Sequence, residues 1–131
     1  PADLRGPLAF VGDETALPAL AGILASLPAE ATGRAFIEVP DAGDVRTLAA
    51  PARVEVAWIV RDDPHATPGY AVLTAAVEAS EAEAVVPAYA WVAGEQSLVA
   101  AMRRHWVRVG VDKRMISFTG YWRASRPHLP S

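Results

Sequence analysis

Apolar residues in this chain fall into short unbroken runs, and the stretches between the runs carry a helical period. The runs "PLAFV" (7–11), "RAFIEV" (34–39), "RVEVAWIV" (53–60), "AYAWVA" (88–93) and "RMISF" (114–118) have strand length and are rich in β-branched and aromatic residues. After the first run, Leu17, Leu20, Ile23, Leu24 and Leu27 repeat at i, i+3 and i+4, which predicts one buried helical face closed by Pro28. Pro18 fits there, because the first helical turn has no use for its missing N–H. Segments 68–80 and 95–109 predict two further helices, the second burying Leu98, Val99, Met102, Trp106 and Val109 while Arg103, Arg104 and Arg108 point elsewhere. Residues 41–52 lack a clear period and read as a short helix or loop.

Strands that are apolar on both faces, alternating with helices, predict a parallel sheet covered on both sides. The expected fold is α/β: a doubly wound, three-layer domain with five parallel strands in the order 3-2-1-4-5, occupying residues 1–131 as one unit. A ligand would then lie beyond the carboxyl ends of the strands, where strand order reverses. Trp58 and Trp91 lie inside strands and are expected in the core.

Composition narrows the chemistry. At 131 residues and 52% hydrophobic, the chain can build one core. It has no cysteine, which excludes disulfides and thiolate chemistry. No apolar stretch nears the roughly 18 residues of a membrane span, so a cytoplasmic protein with no membrane insertion and no nucleic-acid partner is expected. The chain opens on Pro1, which suggests a processed chain or an excised piece. Charge is lopsided: residues 1–100 hold five Lys and Arg against fourteen acids, net −9, whereas residues 101–131 hold seven against one, net +6. Such a basic end can attract an anion or be a solvated helix face plus a tail.

The sharp phosphate and nucleophile motifs, G-x-G-x-x-G, G-x-x-x-x-G-K-[ST] and G-x-S-x-G, are missing. His65, His105 and His128 lack metal-ligand spacing, so no metal is expected. Asp13, Glu14 and Asp62 would suit the magnesium site of a response-regulator receiver domain. That reading also needs a lysine after the fifth strand, where Thr119 and Gly120 stand.

Taken together, "VGDETALPAL", "YAWVAGEQSLVAAMRRHWV" and "FTGYWR" resemble the NAD(P)H-binding domain of the siderophore-interacting proteins, flavin-dependent ferric-siderophore reductases related to the ferredoxin–NADP reductases. The resemblance runs in order from about Leu8 to Arg123. It implies a domain that binds NADPH or NADH and delivers hydride to FAD on a partner β-barrel domain, which this chain lacks, so that Fe(III) bound to a siderophore is reduced and released. No residue of this chain is implied as a catalytic acid or base, and the chain alone is not expected to turn over. Gly12 and Pro18 keep their places in the wider superfamily's phosphate turn, while Asp13 and Thr15 stand where glycines are usual; Asp13 or Thr15 would cap the helix, and Thr15 and Ala16 would donate to the dinucleotide. Arg61 matches an arginine that contacts an adenosine 2′-phosphate, with an ion pair to Asp62 or Asp63 as the plain alternative. Gly94 and Glu95 match the turn beside the nicotinamide, with Ala93 where a cysteine is common. Tyr121 and Trp122 would face the flavin or pack on the domain, and Arg123 and Arg126 would meet the anionic siderophore. A stand-alone nucleotide-binding or scaffold module without turnover is the alternative.

Overall fold

Along the chain come β1 (Pro7–Gly12), α1 (Leu17–Ser26), β2 (Thr32–Val39), β3 (Arg53–Val60), α2 (Tyr70–Glu83), β4 (Tyr89–Glu95), α3 (Gln96–Val109) and β5 (Ile116–Trp122). The computed structural model describes residues 6–61, 63 and 65–122, the last two by their backbone. The strands form one five-stranded sheet in the order β3-β2-β1-β4-β5. Every neighbouring pair is parallel. This is the expected architecture and strand order.

The alternation of side chains along each strand divides the interior in two. Leu8 and Phe10 of β1 and Ala35, Ile37 and Val39 of β2 pack with Leu20 and Leu24 of α1 on one face. Val11 of β1 and Phe36 of β2 pack with Val72 and Ala76 of α2 and with Leu98, Met102 and Trp106 of α3 on the other. Since both faces are covered, β2 can be buried at every position from Ala35 to Val39. The link from β2 to β3 carries only a single 3₁₀ turn, Ala42–Asp44. Leu48 and Ala50 of that link fill the rest of the α1 face, which explains why a parallel crossover there needs no helix.

Two details differ from the expectation. Strand β5 runs on to Trp122, so Thr119 to Trp122 lie within the strand rather than after it. Trp58 and Trp91 are half-buried rather than enclosed; both pack against the α1-side core, with Trp91 and Phe10 ring centroids 6.5 Å apart. No helix among the described residues is long and apolar enough to cross a membrane.

Candidate functional site at the reversal of strand order

The crossovers after β1 and β3 pass over opposite faces, so the sheet reverses between β1 and β4, and the carboxyl ends of these two strands define the crevice. Each strand runs almost directly into a helix. A 3₁₀ turn, Glu14–Ala16, joins β1 to α1, and Gln96 begins α3 immediately after Glu95 ends β4. Two helix starts, with their unpaired N–H groups and positive dipole ends, therefore lie side by side.

Buried carboxylates serve both starts: Asp13 caps the 3₁₀ turn that leads into α1, and Glu95 caps α3. Asp13 has no solvent exposure. Its Oδ1 accepts from the Thr15 main-chain N–H at 3.0 Å and from the Thr15 hydroxyl. Its Oδ2 crosses the crevice and accepts from the N–H of Glu95 at 2.8 Å. Glu95 is also buried, and its Oε1 accepts from the N–H groups of Ser97 at 2.8 Å and Leu98 at 3.3 Å. Asp13 is thus the expected cap, and it also ties β1 to β4.

That tie explains Gly94. Its φ is +137°, and a Cβ there would lie 2.6 Å from the Asp13 carboxylate. The missing side chain leaves room for the Asp13 carboxylate. At Gly12 a Cβ would press on that of Ala16 at 2.9 Å, so this glycine lets the turn fold back on the strand. The expected main-chain donors are engaged as well: Thr15 N–H meets the Asp13 carboxylate, and Ala16 N–H donates to the Asp13 carbonyl at 3.0 Å. A phosphate would find the Thr15 amide already satisfied by a carboxylate and the Ala16 amide by a main-chain carbonyl.

A second carboxylate cluster sits beside the first, at the ends of β2 and β3. Glu38, fully buried, accepts from Gly69 N–H at 2.8 Å and Val72 N–H at 2.9 Å. It thereby caps α2, whose preceding residue Gly69 has no side chain to do so. Arg61 supplies the counter-charge, with its Nε and Nη2 at 2.8 and 2.7 Å from Glu38 Oε2 and its Nη2 at 2.6 Å from Glu14 Oε1. Burial acts to lower the Arg61 pKa, but the hydrogen bonds and charges of Glu14 and Glu38 outweigh it and the net shift is upward. Of the two acids named as the plain alternative, Asp63 accepts from the His65 N–H and Asp62 lies outside the described residues.

The structure therefore brings Gly12, Asp13, Thr15, Ala16, Gly94 and Glu95 together and joins Arg61 to them through Glu14. Trp122 is in register with Glu95 across a bulge, so the end of β5 borders the same edge. Arg123 and Arg126 lie outside the described residues, as do the side chains of Tyr121 and Trp122. Sequence reasoning missed Glu38, although an acid alone in the run "FIEV" of a strand covered on both faces was its signal. It also missed His105, which is buried on α3 with Nε2 3.0 Å from the Ser80 hydroxyl. Among the described residues no group of His, Cys, Asp and Glu could hold a metal ion.

Concave surfaces also occur away from this edge. A cavity of about 300 Å³ lies at the opposite end of β1 and β2, under Arg34 and Glu83. A groove of about 540 Å³ between α3 and β5 is lined by Arg103, Arg104, Arg108 and Lys113, with Arg103 stacked on Phe118 at 3.7 Å. Neither contains the convergent glycines and helix starts of the reversal, and the chemistry follows the latter.

Comparison with known proteins identifies relatives of this chain. The family model for "Siderophore-interacting protein" matches residues 7–125. The chain is 40% identical over 128 residues to the protein Rv2895c of Mycobacterium tuberculosis, covering 89% of this chain and 44% of that one. It is 34% identical over 121 residues to the ferric vibriobactin reductase ViuB of Vibrio cholerae, covering 89% and 43% respectively. A solved siderophore utilization protein from T. fusca superposes with a TM-score of 0.76 at 34% identity, over 95% of this chain and 48% of that one. The chain spans less than half the length of each of these three proteins.

Proposed function

The chain belongs to the siderophore-interacting protein family, and on that premise we propose that it is the NAD(P)H-binding domain of a cytoplasmic ferric-siderophore reductase. Its partner would be a FAD-binding β-barrel domain and its substrate a ferric siderophore. The observation that carries this reading is the pair of helix starts meeting at the β1–β4 reversal in a relative of a ferric reductase.

The donor set fits a dinucleotide. Two dipole ends favour phosphate oxygens, the side chains of Thr15, Gln96 and Ser97 are exposed around the mouth, and Arg61 adds a cation on the β3 side. Gln96 and Ser97 would hold the diphosphate, Thr15 joining them only by giving up its bonds to Asp13; Arg61 would lie toward the adenosine, and Glu95 with the end of β5 would lie toward the nicotinamide. When bound, the cofactors supply hydride transfer from nicotinamide to flavin and single-electron reduction of Fe(III). Asp13 and Glu95 hold the two helix starts at a fixed spacing, so the mouth is preorganised before ligand arrives. Tyr121 and Trp122 would border the flavin, and Arg123 and Arg126 would meet the siderophore.

Titration of the chain with NADH and NADPH, followed by amide NMR, tests this. Binding should perturb residues 12–17 and 95–98 most. Addition of a flavin-loaded partner domain and a ferric chelate should then give Fe(II), and none should form without the partner. Failure of both dinucleotides to bind overturns the reading. One observation favours the alternative of a module without turnover: the amides of Thr15 and Ala16 are already taken by Asp13. Binding without any Fe(II) in the complete mixture would support it.

A further inference from the structure

We propose that Glu14 decides between NADH and NADPH by competing with the 2′-phosphate for Arg61. The inference rests on the dinucleotide reading above and concerns its adenosine end. Among the described residues Arg61 has two carboxylate partners of different character. Glu38 is fully buried and engaged by Arg61 Nε and Nη2, Gly69 N–H and Val72 N–H, so removing Arg61 from it would leave a charge enclosed in the core. Glu14 belongs to the turn after β1, and its side chain is 33% exposed, against 10% for Arg61. Its one described side-chain contact is the 2.6 Å bond to Arg61. Arg61 therefore has a permanent partner and an exchangeable one.

One cation between two carboxylates leaves the cluster net negative. A 2′-phosphate approaching Arg61 must displace Glu14 or sit against its charge, and both oppose binding. A ribose with a free 2′-hydroxyl meets no such repulsion and can donate to the exposed carboxylate. As folded, the chain favours NADH, and neutralising Glu14 opens Arg61 to the phosphate.

The test uses the whole chain and two fragments that differ only at the 2′ position, 5′-AMP and adenosine 2′,5′-bisphosphate, with NADH and NADPH in parallel, read by calorimetry. The unmodified chain should bind the bisphosphate no more tightly than AMP. Glu14→Gln should raise the bisphosphate-to-AMP affinity ratio by about tenfold, the scale of one charge-assisted contact. Glu14→Gln combined with Arg61→Lys keeps a cation on Glu38 but removes the fork, and should reverse most of that gain. Glu14→Ser serves as a second neutral variant should the first fail to fold. A ratio that stays within about twofold of the unmodified chain in the folded neutral variants overturns the proposal, as does an unmodified chain that already prefers the bisphosphate. In both cases the ligands bind, which separates these results from failure of all four ligands on every variant; that pattern overturns the dinucleotide reading and this inference with it.

Discussion

Asp13, just past the end of β1, and Glu38, near the end of β2, are both fully buried and each caps the start of a helical segment, yet their charges are met differently. Glu38 is balanced by Arg61, a full cation drawn in from the end of β3. Asp13 is met, among the described residues, by N–H and O–H donors from Thr15 and Glu95. The first arrangement is an ion pair whose halves depend on each other. The second is a carboxylate held by dipoles, at the place where a bound diphosphate would use the same dipoles. The difference separates a structural anchor on the β2–β3 side from a mouth on the β1–β4 side that is preorganised and already negative.

The comparison can be broken most severely at Glu38. Glu38→Ala should lose about 3–5 kcal/mol in urea denaturation, since it leaves Arg61 buried without its main partner and two α2 amides unsatisfied. Asp13→Ala should lose less, about 2–3 kcal/mol, because no buried cation is stranded. Its signature should be local: amide shifts at Thr15 and Glu95, with α2 undisturbed. A loss at Asp13 equal to that at Glu38 would contradict the distinction.

Gly94→Ala sharpens the same point. The added methyl must sit at φ +137° and collide with the Asp13 carboxylate, at a cost of about 1–3 kcal/mol. Combining it with Asp13→Ala removes the collision but not the backbone strain, so the double variant should be more stable than additivity predicts. Strict additivity would mean that Gly94 is glycine for its backbone alone.

The smallest effect lies away from both clusters, at His105. Burial first, and the Arg108 charge second, hold its pKa below the usual value of 6.5, with Glu81 opposing them. The unfolded chain therefore takes up this proton at higher pH than the folded one. The stability is full above about pH 6.5 and declines as pH falls toward the folded pKa. His105→Gln should flatten that decline between pH 5 and 7 in thermal melts and leave dinucleotide binding unchanged, which separates α3 packing from the carboxylate clusters.

Within the site, legibility followed sequence distance. The cap by Asp13 on Thr15 spans two residues and was visible as acid, acid, threonine before a helical period. The Asp13 bond to Glu95 spans 82 residues, and with it came the contact that a side chain at Gly94 would obstruct, which no local pattern signals. Arg61 was legible as a cation at a strand end, but its described partners Glu38 and Glu14 lie 23 and 47 residues away, beyond the reach of local pattern.

What this chain's sequence determined unaided was its periodicities, and through them five strands, three helices and their covering on both faces, because apolar spacing acts within a few residues at a time. Which carboxylate faces which amide or cation was decided only by the folded sheet. That pairing depends on strand order and register, which bring together groups from opposite ends of the chain, and burial then makes each mismatch too costly to persist.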